Sequence, residues 1–307
     1  MAENPLVTLD EVRNALVTTE CRSLSAGFES LGLRTHEARF DNLGQAALPR
    51  VAEEFLLASR NRRHDRDTQL SVTHYFTDPV ALALSRLGKE APEGLRLALP
   101  PGSEPEASLT DAVAGRRSVR DFAGLPVTLD DLATILRYAN SETAEIDAVL
   151  ESGSEVSLRL RTVPSGGGLY PVEVWIGALN IPGVAPGIYR YLPHEDSLAM
   201  HGGADMLNAA TAAVMESGST EARLGAGFVL LVAQPWRAMR KYGPRGMRFV
   251  FHEAGGISQN IHLAATALGL GSLDSSSFYD DDMDDALGLD GLFRTAVHLI
   301  ILGHVSP

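Results

Sequence analysis

From about residue 108 onward the sequence predicts an α+β fold, with several strands, one long central helix and capped helices at the periphery. Three observations predict it. Residues 228–233 and 297–302 are apolar runs of strand length, as expected for strands covered on both faces. Residues 249–268 form a stretch too long for a strand, rich in Ala, Leu and Ile, whose single charge is Glu253, so it reads as a helix buried nearly all round. Ser108 with Asp111 and Thr128 with Asp131 each place a hydroxyl three residues before an acid, the pattern that opens a helix.

The elements follow in order. Residues 1–100 read as a mostly helical region, with helices expected near 8–17, 48–60 and 79–87 and no catalytic signature. The charge run at 61–67 reads as an exposed loop or helix end. Pro92, Pro100, Pro101, Gly102 and Pro105 mark 90–108 as a linker, which separates that region from a main domain at 108–307. The helix opened by Ser108 is expected to end near Gly115. The one opened by Thr128 carries Leu129, Leu132, Ile135, Leu136 and Ala139 as a core-facing stripe. Strands are expected at 172–179, where Val172, Val174, Ile176 and Ala178 alternate with other residues, and at 187–191 after a Pro-Gly turn. The acidic run Asp280, Asp281, Asp282, Asp284 and Asp285 reads as the exposed start of a helix, where carboxylates favour the dipole, rather than as a metal site.

Composition excludes several function classes. The chain has 307 residues with 26 Lys+Arg against 39 Asp+Glu, a net charge of -13 that argues against binding nucleic acid over a broad surface. Its lone cysteine, Cys21, removes a disulfide framework, a zinc ribbon or a redox cysteine pair and suits a reducing cytoplasm. Neither a secretory signal nor a membrane-spanning run is expected.

Four clusters carry chemistry. In the first, Arg116, Arg117, Ser118 and Arg120 bring three guanidiniums and a hydroxyl together where a helix ends. An extended chain would turn Arg116, Ser118 and Arg120 to one side, matching an anionic ligand. In the second, Ser165 precedes Gly166, Gly167 and Gly168, whose missing side chains let a flat ligand approach the backbone. The run lacks the Lys-Ser/Thr ending of a phosphate loop and is not G-x-G-x-x-G. In the third, Lys241 precedes Tyr242. The chain's lysines are Lys89 and Lys241, so an ammonium here stands out, and beside a phenol it can stabilise the phenolate and tune it as a base. In the fourth, Ser275 and Ser276 follow the end of the long helix. His252, Glu253 and His262 on that helix lack zincin spacing, and Ser165 lacks a nucleophile-elbow pattern.

The order of these clusters resembles the flavin-dependent nitroreductase superfamily. The stretch from Arg116 to Phe122 followed by Pro126 to Leu132 is similar to its opening phosphate-binding signature. Pro164 to Pro171, Lys241 to Gly246 and Ala254 to Asn260 resemble its SagB-type azoline dehydrogenase branch, and the resemblance covers about residues 108–307. It implies a nitroreductase-like fold with a mixed, mainly antiparallel sheet, an FMN cofactor and a homodimer with its sites at the subunit interface. By the same resemblance Arg116, Ser118 and Arg120, with Arg117 as a helper, hold the phosphate, ribityl chain and pyrimidine edge. Ser165, Gly166 and Gly167 line the isoalloxazine, while Ser275 and Ser276 supply backbone donors near the ring. The family often ends in a basic residue after its last strand, whereas this chain ends Gly303-His304-Val305-Ser306-Pro307.

The activity so implied is oxidation of peptide thiazolines and oxazolines to azoles, with Tyr242 as base, Lys241 as its electrostatic partner and molecular oxygen as reoxidant. The implied partners are an azoline-containing peptide and a cyclodehydratase. Residues 1–100 are expected to recognise one of these or to extend the dimer. Two alternatives stay open: an NAD(P)H-dependent nitro- or dehydroamino-acid reductase, and a catalytically idle scaffold that docks a precursor peptide.

Overall fold

A computed structural model describes residues 51–61, 63, 70–72, 94–149, 155–214 and 225–307. The chain divides into two compact units, Met1–Arg60 and Asn61–Pro307. In the first, the described element is helix α1 (Val51–Ala58), inside the expected 48–60. The helices expected at 8–17 and 79–87, and most of the charge run at 61–67, lie outside the described residues.

The second unit is built on a seven-stranded sheet. Its elements run β1 (Arg96–Ala98), α2 (Leu109–Gly115), α3 (Leu129–Asn140), β2 (Glu142–Val149), β3 (Glu155–Arg161), β4 (Val172–Ala178), β5 (Gly187–Leu192), β6 (Ser197–Gly202) and α4 (Ala204–Ala212). They continue with β7 (Gly227–Ala233), α5 (Pro235–Tyr242), α6 (Gly246–Ala267), β8 (Gly271–Ser275), α7 (Asp280–Leu287) and β9 (Thr295–Gly303). The sheet order is β1-β6-β5-β4-β7-β9-β8, and every neighbouring pair is antiparallel. Parallel geometry enters through the isolated bridges Ser118–Ser272 and Gly225–Leu302, which gives the mixed, mainly antiparallel character.

The core sits on both faces of β7, which is buried throughout. Val229, Leu231 and Ala233 point to one side and meet Val172, Val174 and Ile176 together with Leu132, Ile135 and Leu136 of α3 and Ile257, Ile261 and Ala265 of α6. Phe228, Leu230 and Val232 point to the other and meet Trp175, Leu299 and Ile301 with Leu207 of α4 and Met283 and Leu287 of α7. The period-2 alternation of a strand therefore feeds two cores at once, which is why the run shows no polar position. Both predicted caps form: Ser108 accepts from the Asp111 N–H and Thr128 from the Asp131 N–H.

Three features differ from the sequence reading. The segment 90–108, read as a linker, contributes edge strand β1, in which Leu97 packs partly against the first core. Three residues between proline-rich flanks are too few for alternation to register. The hairpin β2/β3 forms a second, two-stranded sheet in a region without strand signal, because exposed charges such as Glu145 and Arg159 interrupt its pattern. Helix α6 is buried along most of its surface but exposes Phe251, His252, Gly255 and Gln259, so it is not covered all round.

Candidate active site

The glycine loop lies between β3 and β4. Gly166–Gly168 make one 3-10 turn in which Gly167 has φ 70° and Gly168 φ 65°, the left-handed region closed to most side chains. Tyr170 follows with φ 47°, strained for a non-glycine residue, and is held there by several bonds. Its N–H donates to Ser165 Oγ (2.9 Å), its hydroxyl accepts from the Arg161 N–H (2.9 Å), and its carbonyl accepts from Arg237 Nη1 (3.1 Å). The Arg161 guanidinium stacks 4.6 Å from its ring centroid.

Lys241 and Tyr242 end helix α5, whose last turn is tied by the Ser71 hydroxyl to the carbonyls of Arg240 (3.2 Å) and Lys241 (3.1 Å). Lys241 is 2% exposed, and burial lowers its pKa from the ordinary lysine value. The loop and this pair meet at Gly167. A Cβ there would lie 2.5 Å from Tyr242 Oη and 2.9 Å from Lys241 Nζ. Two clusters distant in sequence thus converge, with the ammonium and the phenol both ending on bare main chain. Phe249 of α6 backs the group, edge-on to the Tyr242 ring at 4.9 Å and 2.9 Å from where a Gly166 Cβ would stand.

The requirement for glycine makes a prediction. Gly167→Ala combines left-handed strain with a clash and is expected to lower stability by about 1–3 kcal/mol. Gly168→Ala, where nothing lies within 4 Å of an added Cβ, bears the strain alone and loses less. Thermal unfolding of the two variants measures the difference.

The arginine cluster sits elsewhere on the fold, against β8. The Val119 N–H donates to the Ser272 carbonyl (3.0 Å) and Ser118 bridges Ser272, so the strip runs beside the strand that ends at Ser275. Arg116 is half-buried, and Ser118 and Arg120 are exposed. Arg117 turns back, its Nη1 donating to the Ala114 (2.9 Å) and Arg116 (2.8 Å) carbonyls at the end of α2. Its guanidinium is occupied as a helix C-cap. Ser275 accepts from the Ser277 N–H (3.2 Å), and Ser276 is exposed just past the strand. Among the described residues no hydrogen bond joins the arginine strip to the Lys241/Tyr242 group.

Two polar groups were given no role in the site from the sequence, although Glu253 stood out there as the single charge of the long helix. Asp274 of β8 accepts from Ser258 (2.6 Å) and pairs with His262 (2.9 Å) and His298 (2.7 Å), while His262 Nδ1 meets the Ser272 hydroxyl (2.6 Å). Desolvation pushes the Asp274 carboxyl up, but the hydrogen bonds outweigh it and hold the group well below the usual range. This lattice fixes the strand end that carries Ser275 and Ser276. The other group is Glu253, 1% exposed on α6, whose Oε1 accepts from the Val172 N–H at 3.0 Å. Burial pushes its carboxyl up to about 7, against the opposing pull of the Ser165 hydroxyl, the Val172 amide, Arg161 and Arg237. Since the folded value lies above the ordinary carboxylate range, the stability it contributes is full below that range and is lost as pH rises through 7. A lone charge in an apolar helix was the signal that marked it.

A family profile for the nitroreductases matches residues 113–304. The chain belongs to the nitroreductase family. It is 33% identical over 183 residues to the nitroreductase-family protein MJ1384 of Methanocaldococcus jannaschii, a match covering 59% of this chain and 85% of the relative. It is 32% identical over 147 residues to the microcin B17-processing protein McbC of Escherichia coli, covering 46% of this chain and about half of McbC (52%). Its fold aligns with a chain of the E. coli microcin synthetase McbBCD complex bound to truncated pro-MccB17, at a TM-score of 0.53 and 20% identity, over 89% of this chain and 99% of that one. Both the nitroreductase-like fold and a relation to peptide-processing proteins therefore hold. No helix among the described residues is long and apolar enough to cross a membrane.

Proposed function

We propose that this protein is an FMN-dependent oxidoreductase that converts peptide azolines to azoles in natural-product biosynthesis, in a cytoplasmic setting. The observation that carries the reading is the meeting of Lys241 Nζ and Tyr242 Oη at Gly167. It joins a base and its electrostatic partner to a backbone surface free of side chains. The likeness to McbC supplies the peptide context.

The donor set fits the cofactor. Arg116, Ser118 and Arg120 offer cationic forks and a hydroxyl for the phosphate, ribityl chain and pyrimidine edge, with Arg117 securing the end of α2. Ser165, Gly166 and Gly167 give a face stripped of side chains for the ring, and Ser275 and Ser276 present backbone donors. When bound, FMN supplies the two-electron acceptor for the hydride leaving the azoline β-carbon. Tyr242 takes the proton from the α-carbon, acidified by the adjacent imine and carbonyl, and Lys241 stabilises the phenolate form that does so. Loop and arginine strip complete one pocket when two copies of the chain pair, and a cyclodehydratase delivers the peptide. Residues 1–100 engage that peptide or the partner.

The test is a spectrum followed by mass analysis. Purified protein is expected to be yellow, and a cyclised peptide incubated with it is expected to lose two hydrogens per ring. Protein that neither carries nor takes up flavin refutes the reading. The likeness to MJ1384 favours a second reading, an NAD(P)H-dependent reductase on the same site. Rapid bleaching of the flavin by NAD(P)H, with azoline peptide unchanged, selects it.

A further inference from the structure

Consecutive residues of a regular helix point about 100° apart and do not face each other. Yet Lys241 Nζ and Tyr242 Oη both end at Gly167, and Nζ lies 5.3 Å from the Tyr242 ring centroid. They converge because Tyr242 has left the helix, at φ −116° and ψ 8°, and Gly243 follows at φ 56° and ψ −148°. The placing of the pair is thus a property of how α5 ends rather than of its helical body.

That end is short of donors. The Gly243 N–H bonds to the Met239 carbonyl, and the next nitrogen in the chain belongs to Pro244, which has no hydrogen to offer the Arg240 carbonyl. Residues 70–72, which are helical, bring the missing donor from 169 residues earlier in the chain. The Ser71 hydroxyl donates to the Arg240 carbonyl (3.2 Å) and the Lys241 carbonyl (3.1 Å), one proton shared between two acceptors. Elsewhere α5 is gripped by main chain: a Cβ at Gly246 of α6 would lie 2.6 Å from the Ala238 carbonyl carbon and from the Met239 nitrogen. The backbone contact with α6 fixes the body of α5, and Ser71 fixes the turn that carries the pair. Ser71 stands outside residues 113–304, so this fastening is not part of the segment that the family profile matches.

We propose that Ser71 is a positioning residue: by capping the last turn of α5 from outside, its hydroxyl holds Lys241 and Tyr242 in register with Gly167. Without it the two carbonyls turn to solvent, the turn relaxes, and the ammonium, now 2% exposed, loses its buried seat. One shared hydrogen bond is a small part of the stability of the fold, so its loss acts on the pair and not on the chain as a whole. The consequence for turnover rests on the function proposed above; the seating of Lys241 does not.

The test uses the two lysines of the chain, Lys89 and Lys241. The full chain receives a limiting pulse of acetic anhydride at fixed pH, and mass spectrometry of the digest reads the labelling of Lys241 relative to Lys89 in wild type, Ser71→Ala and Ser71→Thr. Ser71→Ala is expected to raise that ratio about 3–10-fold as the turn opens, while Ser71→Thr, which keeps the hydroxyl, is expected to stay at the wild-type value. Unchanged labelling in Ser71→Ala, or an equal rise in both variants, overturns the proposal. On a cyclised azoline peptide, Ser71→Ala is expected to lower kcat about tenfold with KM and FMN affinity unchanged, and threonine is expected to restore it. Wild type that leaves the peptide unoxidised while the labelling pattern holds overturns the proposed function alone. Wild-type turnover that Ser71→Ala leaves undiminished, or diminishes only through KM, overturns the role of Ser71 alone.

Discussion

A Lys241→Ala/Tyr242→Phe double variant is expected to bind FMN as wild type does and to oxidise azolines about 10²–10⁴-fold more slowly, the span that a general base contributes. Phenylalanine keeps the ring that packs edge-on against Phe249 and removes only the hydroxyl that ends at Gly167. Alanine at 241 removes a buried ammonium whose pKa is already lowered, so the phenol loses both its proton-accepting atom and its electrostatic support. The loss is expected in kcat rather than in KM, the pattern of an interaction made only in the transition state. A flavin spectrum and a thermal midpoint measured on the same preparation separate lost chemistry from lost fold. Turnover equal to wild type would show that the pair is not the base.

An Arg116→Ala/Arg120→Ala variant is expected to raise the FMN dissociation constant by about 10²–10⁴-fold. Two charge-assisted bonds to phosphate at about 1.5–3 kcal/mol each account for that range. Arg117→Ala is the built-in comparison. Its guanidinium already serves the carbonyls of Ala114 and Arg116, so its removal frays the end of α2 and leaves affinity nearly unchanged. The wild-type affinity is also expected to fall as salt rises, because Ser118 and Arg120 are exposed to solvent. Titration of flavin fluorescence reads all three. An affinity that survives loss of both arginines places the phosphate elsewhere.

Much of the fold was legible because its signals are local. The helices opened by Ser108 and Thr128 announce themselves within four residues, and the bonds they promise form. The strands at 228–233 and 297–302 are apolar because both their faces are covered, and each appears as β7 or within β9. Strand β1 and the β2/β3 hairpin escaped for the opposite reason. One is three residues long at a sheet edge, and the other carries exposed charges, so neither needs the alternation that a covered sheet imposes. The site divides in the same way. Arg116, Ser118, Arg120, Gly167, Lys241 and Tyr242 were conspicuous by residue type, whereas Asp274 lay hidden as one more acid in an acidic chain. Its bonds come from Ser258, His262 and His298, which only the packing of α6, β8 and β9 brings within reach.

By itself, then, the chain's order of residues determined its family, its α+β class and the chemical types available to a site, since composition, periodicity and short motifs are properties of neighbouring residues. The tertiary structure decided which of those groups meet. It set Lys241 and Tyr242 on Gly167 and buried Glu253 against the first amide of β4, because contacts between segments 70 or more residues apart depend on how the sheet and the long helix pack and leave no periodic trace in either segment.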